Sequence, residues 1–126
     1  MKTSDFKKLA VWQESMNLCV EVYEIIKSFP PEEKYALCDQ IRRCVTSVPS
    51  NIAEGQGKGS KKEFRYHLLV SRGSLAELQT QLILSQMLKY KNDKEITPLL
   101  DKFSIIDRMI VSLITYLDNQ QLKTDN

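Results

Sequence analysis

Three closely spaced glycines, Gly55, Gly57 and Gly59, form the pattern that most resembles a phosphate-binding loop. A dinucleotide-binding loop needs G-x-G-x-x-G after a strand, and a nucleotide-phosphate loop needs G-K-[ST]. Here the third glycine comes one position early, and Gly59 separates Lys58 from Ser60. The residues before the glycines have helical periodicity. We therefore interpret the segment as a hinge between two helices, with Gly55 as a left-handed helix C-cap.

Other side chains that could do catalysis or bind a metal lack the partners they need. His67 is the single histidine, and Phe64 stands where the Glu-x-x-His metal motif of helical bundles needs glutamate. We expect His67 at a border or on the surface. The three cysteines lack disulfide or zinc spacing and are expected to be buried, reduced thiols: Cys19, Cys38 and Cys44. The sequence therefore predicts no enzyme activity, no catalytic residue, no metal and no cofactor.

Basic residues are concentrated after the glycines. Between residues 55 and 72 the chain has five basic residues and one acidic residue, on a net charge of +2. Such a patch permits a polyanionic partner, and the free N–H groups at the start of the next helix favour phosphate. The predicted nucleic-acid contacts are Lys58, Lys61, Lys62, Arg65 and Arg72, with Arg42 and Arg43 as a second basic pair.

Four stripes of apolar residues indicate the helices that must position these side chains. Apolar residues recur at steps of three and four, as in helices that pack nearly parallel. The stripes are Leu9, Trp12, Met16, Cys19, Tyr23 and Ile26; Leu37, Ile41, Cys44 or Val45, Val48 and Ile52; Phe64, Leu68, Ser71, Leu75, Leu78, Leu82 and Ser85; and Ile96, Leu99, Phe103, Ile106, Ile110, Leu113 and Leu117. No segment alternates as a strand would. The prediction is an all-α, antiparallel up-down-up-down four-helix bundle.

Turn and capping residues set the predicted bounds of the helices. The helices are expected at residues 8–28, 31–55, 60–90 and 94–118 of a single domain, 1–126. Pro31 suits the first turn of the second helix. The third is expected to begin with a capping box from Ser60 to Glu63, and the fourth with Asn92 and Glu95.

Pro49 lies inside the second stripe. Proline in a helix interior removes one backbone hydrogen bond and costs about 3 kcal/mol. The stripe continues from Val45 to Ile52, so the helix is predicted to kink at Pro49 rather than end. Ser47 and Ser50 are expected to satisfy the freed backbone groups.

Apolar residues outside the stripes exceed what one bundle can bury. They are Leu69, Val70, Leu84, Leu88, Leu100, Ile105, Met109, Val111 and Ile114. Surplus apolar surface usually marks an interface, and self-association is its commonest form. Gly73, in the middle of the third helix, is expected to let another helix approach closely. The sequence therefore predicts a homo-oligomer.

The ends and the hydropathy of the chain indicate its compartment. The first residues carry charge where a signal peptide needs an apolar stretch. No apolar run is long enough to span a bilayer. We expect a cytoplasmic protein with no membrane partner.

Two segments carry a family resemblance: QIRRCVTSVPSNIAEGQGKGSKKEF at residues 40–64 and SRGSLAELQTQL at residues 71–82. The chain resembles the bacterial four-helix-bundle proteins named for the open reading frame in intervening sequences of 23S ribosomal RNA genes. The similarity extends over residues 6–117 or so, and the S-[VI]-P-x-N-I-A-E-G core is intact. The resemblance marks these residues for structure and assembly: Ser47, Pro49, Asn51, Glu54, Gly55, Arg72, Gly73, Ser74 and Glu77.

The resemblance also has implications for assembly and partners. It implies an all-α four-helix bundle that forms homo-oligomers, commonly pentameric rings, and it supplies no biochemical activity. The related accessory proteins of diversity-generating retroelements form basic pentamers that work beside a reverse transcriptase on nucleic acid. The first hypothesis is thus a non-enzymatic oligomeric scaffold that binds RNA, DNA or a nucleic-acid enzyme, with steep salt dependence. The alternative is a structural or protein-interaction module whose charge serves solubility alone.

Overall fold

The chain folds into four α-helices joined by short turns. The computed structural model describes residues 5–125, with side chains described for 5–120. The helices are α1, Ala10–Ile26; α2, Leu37–Gly57; α3, Lys61–Met87; and α4, Asp93–Asp125. Single 3-10 turns, Phe6–Lys8 and Pro31–Glu33, precede α1 and α2. The described residues contain no strand, which confirms the all-α prediction. None of these helices offers an apolar stretch of membrane-spanning length.

The four helices form a bundle in which each helix packs against two antiparallel neighbours. Each helix packs on the next along the chain, and α4 packs back on α1. Residue pairs between successive helices run in opposite directions: Cys19 with Val45 and Ile26 with Cys38; Ser47 with Ser74 and Asn51 with His67; Arg65 with Asp118 and Arg72 with Asp107. This is the pairing that an up-down-up-down bundle produces.

The core contains the predicted stripes of α2, α3 and α4, with one residue exchanged in α4. Ile114 is buried there and Leu113 is only partly buried. The stripe predicted for α1 is displaced by one position, because Met16 and Tyr23 are exposed. The residues that α1 buries are Val11, Ser15, Leu18, Val22 and Ile26. The helix carries apolar residues in both phases, so packing against α2 and α4 decides which phase faces inward.

The start of α2 lies later than the sequence predicted. Pro31 opens a 3-10 turn that ends at Glu33, and α2 begins at Leu37 rather than at residue 31. Ala36, with φ −117° and ψ −102°, interrupts helical geometry between the two. The start of α3 matches its prediction, since the Glu63 N–H donates to Ser60 Oγ at 3.0 Å.

Gly55 is not the left-handed cap predicted from the sequence. Helix α2 continues to Gly57, and the glycine with positive φ, 76°, is Gly59. Glycine is needed at position 55 for another reason. A Cβ there would lie 2.7 Å from the Cβ of His67 and 3.2 Å from the Cα of Phe64. The absence of a side chain lets the end of α2 pack directly on the start of α3.

Helix α2 passes through Pro49 without interruption. Proline has no N–H, so the Val45 carbonyl loses its usual donor four residues on. The thiol of Cys19 on α1 donates to that carbonyl at 3.2 Å. The replacement donor is thus a side chain of another helix, rather than Ser47 or Ser50 as predicted. A bend at Pro49 stays a prediction.

The end of α3 is a six-residue turn motif without glycine. The Tyr90 N–H donates to the Ser85 carbonyl at 2.9 Å, and the Lys89 N–H to the Gln86 carbonyl at 3.0 Å. Lys89 takes the left-handed position of this motif, with φ 64°. Asn92 and Glu95 then cap α4 as predicted, because the Glu95 N–H donates to Asn92 Oδ1 at 3.0 Å.

Candidate nucleic-acid interface

The predicted basic contacts do not share one surface. Lys58, Lys61, Lys62 and Arg65 lie at the end of the bundle where α2 leads into α3, which we call the basic end. Arg42 lies 15 residues before the last residue of α2. At 1.5 Å per residue this places the Arg42–Arg43 pair roughly 22 Å away along α2. The two groups therefore act as separate surfaces.

Two of the arginines are bound to acidic side chains of α4. Arg65 Nε lies 2.7 Å from Asp118 Oδ1, and Arg72 Nε lies 2.8 Å from Asp107 Oδ1. These hydrogen bonds raise the pKa of both guanidinium groups above the usual value. The pairs are exposed and contribute little to stability. A phosphate that binds either arginine would nevertheless have to share it with a carboxylate that already takes two of its nitrogens.

The second basic pair is also bound within the chain. Arg43 donates to Asp39 Oδ2 at 2.7 Å, and Arg42 donates to the Lys34 carbonyl at 2.8 Å. Asp39 also lies 3.9 Å from Arg42. The carboxylate of Asp39 thus offsets part of the positive charge of this arginine pair.

The lysines at the basic end differ in whether they are bonded to other side chains. Lys58 Nζ lies 2.9 Å from His67 Nε2, 3.6 Å from Glu63 Oε2 and 3.7 Å from Glu54 Oε1. Among the described residues, neither Lys61 nor Lys62 has an ion pair or a side-chain hydrogen bond. Of the seven predicted basic contacts, these two lysines are the most available to an anion.

His67 occupies a different place from the one predicted. Its residue is 5% exposed and lies between α2 and α3 instead of at the surface. The amide nitrogen of Asn51 donates to the Ser47 carbonyl at 2.9 Å and to Ser47 Oγ at 3.0 Å. Asn51 Oδ1 is then left to accept from His67 Nδ1, 2.9 Å away. The ammonium of Lys58 can only donate, so His67 Nε2 is the acceptor of this 2.9 Å contact.

A simple count along the sequence would have found this contact. In a helical hairpin, residues equally far from the turn lie opposite each other. Asn51 and His67 each stand eight positions from Gly59, the centre of the turn. Reasoning along one helix at a time misses such a partner.

The polar contacts continue along the boundary between α2 and α3, which we call the α2–α3 seam. Ser47 Oγ lies 2.9 Å from Ser74 Oγ, so side chains form a chain of hydrogen bonds from Lys58 to Ser74. A cleft of about 290 Å³ follows, lined by Gln40, Arg43, Cys44, Ser47, Ser74 and Glu77. Most family-motif residues therefore serve the packing of α2 on α3, whereas Arg72 pairs with α4.

The cysteines lie at helix contacts and are poor nucleophiles. Burial raises the pKa of Cys19 to about 11. Burial, followed by a hydrogen bond with Glu77, raises the pKa of Cys44 to about 12. No three His, Cys, Asp or Glu side chains converge as a metal site in the part of the chain described.

Two clefts open at the basic end. The lysine cleft, about 310 Å³, is lined by Lys61, Lys62, Arg65, Leu117 and Asp118. The apolar cleft, about 210 Å³, is lined by residues that include Leu9, Lys61, Phe64, Leu113, Tyr116 and Leu117. Lys61 borders both.

Lys7 and Lys8 add charge to this end of the bundle. Both lysines are exposed and belong to the 3-10 turn Phe6–Lys8, which packs on α2 just before α1 begins. Because α1 and α2 are antiparallel, that turn lies beside the end of α2. Sequence reasoning missed the two lysines because only the tertiary fold brings them to this end.

A row of exposed residues runs along the outside of α3. Leu69, Ile83 and Met87 are exposed and stand at helical spacing with small residues, Gly73 and Ala76, between them. We call these five residues the outer stripe. A Cβ added at Gly73 would meet nothing within 4 Å, so no described helix makes the close approach predicted there. A groove of about 510 Å³ beside the stripe is lined by residues of α3 and α4.

These features define a helical-bundle protein with a structural polar seam, a basic end and an open apolar stripe. The family model described as 23S rRNA-intervening sequence protein matches residues 7–112, and the chain belongs to that family. The match confirms the resemblance in the sequence. A search of curated proteins finds no match.

A solved structure has the same fold. The crystal structure of a protein of unknown function from the S23 ribosomal protein family of Bacteroides thetaiotaomicron VPI-5482 is similar with a TM-score of 0.75. The two sequences are 20% identical, and the match covers 83% of this chain and 98% of that one. At this identity the likeness concerns the fold alone.

Proposed function

We propose that this protein is a non-enzymatic scaffold that self-associates through the outer stripe and binds RNA or DNA at its basic end. A nucleic-acid-processing enzyme is a further partner of the same scaffold. The outer stripe is the observation that carries the proposal. Its apolar residues are exposed on a single chain, although the core of that chain is fully formed.

The composition of the stripe supports contact with another helix. Gly73 and Ala76 leave the backbone of α3 open, so a second helix can approach closely between Leu69 and Ile83. Burial of apolar surface contributes about 25 cal/mol for each Å² removed from water. Closed rings or dimers bury such a surface on every copy. The proposed assembly is a homo-oligomer, with the pentamer of the family resemblance as the expected form.

Nucleic-acid binding at the basic end is supported by the unpaired lysines. Lys61 and Lys62 lie in the first turn of α3, where N–H groups and the helix dipole favour anions. Lys7 and Lys8 extend the charge on the neighbouring turn. An oligomer repeats this surface and increases avidity without any new contact.

Light scattering on the full chain tests the assembly. The expected mass is a multiple of the 14.6 kDa chain. Replacing Ala76 with glutamate is expected to lower that mass, whereas Asn17→Glu on the exposed face of α1 serves as the matched control. A wild-type mass of one chain, or an assembly indifferent to A76E, would overturn the self-association proposal.

Titration of a labelled RNA hairpin at low and moderate salt tests the nucleic-acid proposal. Binding is expected to weaken steeply with salt, because phosphate contacts release counterions. The K61E/K62E variant is expected to lose binding, while Lys94→Glu at the opposite end of the bundle retains it. Affinity that ignores salt, or that survives K61E/K62E, would contradict nucleic-acid binding at this end.

A second function, a protein-interaction module that binds no nucleic acid, is favoured by one observation. Five of the seven predicted basic contacts are already bonded within the chain: Arg42, Arg43, Lys58, Arg65 and Arg72. A stable oligomer that binds neither RNA nor DNA at low salt would support this function over the first.

A further inference from the structure

The apolar cleft at the basic end has the composition of a site for a flat, uncharged ring. Phe64, Leu113 and Leu117 form its walls together with Tyr116. Tyr116 is 57% exposed, so one part of its side chain remains accessible at the cleft. The lining also includes one basic residue, Lys61.

We infer that this cleft receives one unpaired base of a single-stranded nucleic acid, stacked on Tyr116, while Lys61 and Lys62 contact the neighbouring phosphates. The inference rests on the proposed nucleic-acid function and names its substrate as single-stranded. Aromatic side chains bind unpaired bases by stacking, whereas a duplex keeps its base faces covered.

The positions of the two lysines fit a nucleic-acid strand whose sugar–phosphate backbone passes over the apolar cleft. Lys61 borders both the apolar cleft and the lysine cleft, and Lys62 lines the lysine cleft beside it. A phosphate at Lys61 is therefore adjacent to a base in the apolar cleft. The charged groups that line the two clefts are three basic side chains and one acid, Asp118, which is already paired with Arg65.

A second exposed ring lies beyond the lysines. Tyr66 is 60% exposed and stands four residues after Lys62, which places both on one face of α3. Its ring meets the ring of buried His67 edge to face, with centroids 5.2 Å apart. Tyr66 thus presents an aromatic ring, held in place by this contact, on which the next base of the same strand can stack.

Fluorescence anisotropy with three labelled probes of about 15 units tests the inference, a length within the site sizes of single-strand binders. The probes are oligouridine RNA, oligothymidine DNA and an RNA duplex. Y116A is expected to weaken single-strand binding by about 5- to 160-fold, since stacking contributes roughly 1–3 kcal/mol per base. Y116F keeps the ring and is expected to bind as wild type does. Tyr35→Ala, at an 83% exposed tyrosine of the opposite end, is the control.

The outcomes separate this inference from the proposed function. If K61E/K62E abolishes binding but Y116A does not change it, the basic end binds nucleic acid and the base site is wrong. Tighter binding of the duplex than of either single strand also overturns the base site. If no probe binds wild type, both proposals fail. Equal binding of RNA and DNA supports stacking without 2′-hydroxyl recognition, and preference for one identifies the natural strand.

Discussion

Asn51 Oδ1 lies 2.9 Å from His67 Nδ1, and this hydrogen bond joins α2 to α3 at a histidine that is closed to solvent. Each partner is oriented by a further contact. Ser47 fixes the amide of Asn51, and Lys58 takes the other ring nitrogen of His67. The α2–α3 seam is therefore specified by polar groups that fit only one arrangement.

Replacing Asn51 with alanine is expected to lower the free energy of unfolding by about 1–3 kcal/mol, the cost of a buried donor left without a partner. His67 Nδ1 would lose its acceptor, and Ser47 would lose a donor. Urea denaturation measures the change. Asn17→Ala, on an exposed part of α1, is the control and is expected to change stability little. Equal effects of the two substitutions would mean that the contact with His67 contributes nothing.

The glycines at positions 55 and 57 offer a matched pair. Gly55→Ala is expected to destabilise the protein by about 1–3 kcal/mol, as overpacking does, because the new methyl group would meet His67 and Phe64. Gly57→Ala meets nothing within 4 Å and is expected to be neutral or to stabilise the helix by up to about 1 kcal/mol. Thermal unfolding followed by circular dichroism compares them. A neutral Gly55→Ala would show that α2 and α3 can separate at this point without cost.

Lys89 holds a backbone conformation that glycine adopts more readily. Its φ of 64° at the end of α3 predicts that Lys89→Gly stabilises the protein by up to about 1 kcal/mol. Lys94→Gly, within the first turn of α4, is the opposite case and is expected to destabilise by a similar amount. The midpoints of denaturant unfolding measure both changes in stability. A loss of stability in K89G would indicate that the lysine side chain makes a contact worth more than the strain.

Thiol reactivity tests the burial of the cysteines. At about pH 8 a thiol with a raised pKa holds little thiolate, the reactive form. A chromogenic thiol reagent is therefore expected to modify Cys19 and Cys44 slowly in native protein, with all three cysteines reacting after denaturation. The Cys19→Ala and Cys44→Ala variants assign the slow phases. Rapid modification of the native protein at its full thiol content would contradict the described packing.

The same thiols predict an alkaline limit to stability. Burial raises their pKa from the ordinary thiol value of 9.0 to about 11 for Cys19 and about 12 for Cys44. A folded-state pKa above the unfolded one favours the folded state fully below the unfolded pKa, and the gain is lost as pH rises through the folded pKa. The hydroxyl of Tyr90 makes stability fall with rising pH in the same way, because its hydrogen bond to Glu33 raises its pKa. Urea midpoints are expected to fall as the pH rises above 9.0, the ordinary thiol pKa, and a midpoint independent of pH in that range would contradict the prediction.

The sequence predicted the buried faces of α2 and α3 better than that of α1, and the reason lies in the composition of the helices. In α3 the residues facing the core stand in one phase, from Phe64 to Ser85, and all of them are buried. In α1 Leu18 and Val22 compete with Met16 and Tyr23 for the inward position. Periodicity cannot choose between two apolar phases, because the choice depends on the neighbouring helices.

The candidate site was predicted less well because its contacts join distant parts of the chain. Arg65 and Asp118 are 53 residues apart, and no local pattern indicates that they form a pair. The net charge of a segment therefore overstated how many basic groups are available. Lys61 and Lys62 were predicted correctly as residues at a helix start, since capping is a local property. Whether they bind nucleic acid stays a prediction.

Pro49 has a consequence for how α1 and α2 align. Because it frees the Val45 carbonyl, α2 presents one acceptor that its own backbone does not fill, and the thiol of Cys19 reaches it. A slip of α1 by one turn, about 5.4 Å, would carry the thiol to a carbonyl already bonded within α2 and leave Val45 without a donor. The proline and the cysteine together favour one register of the two helices, as a single buried polar residue does in a coiled coil.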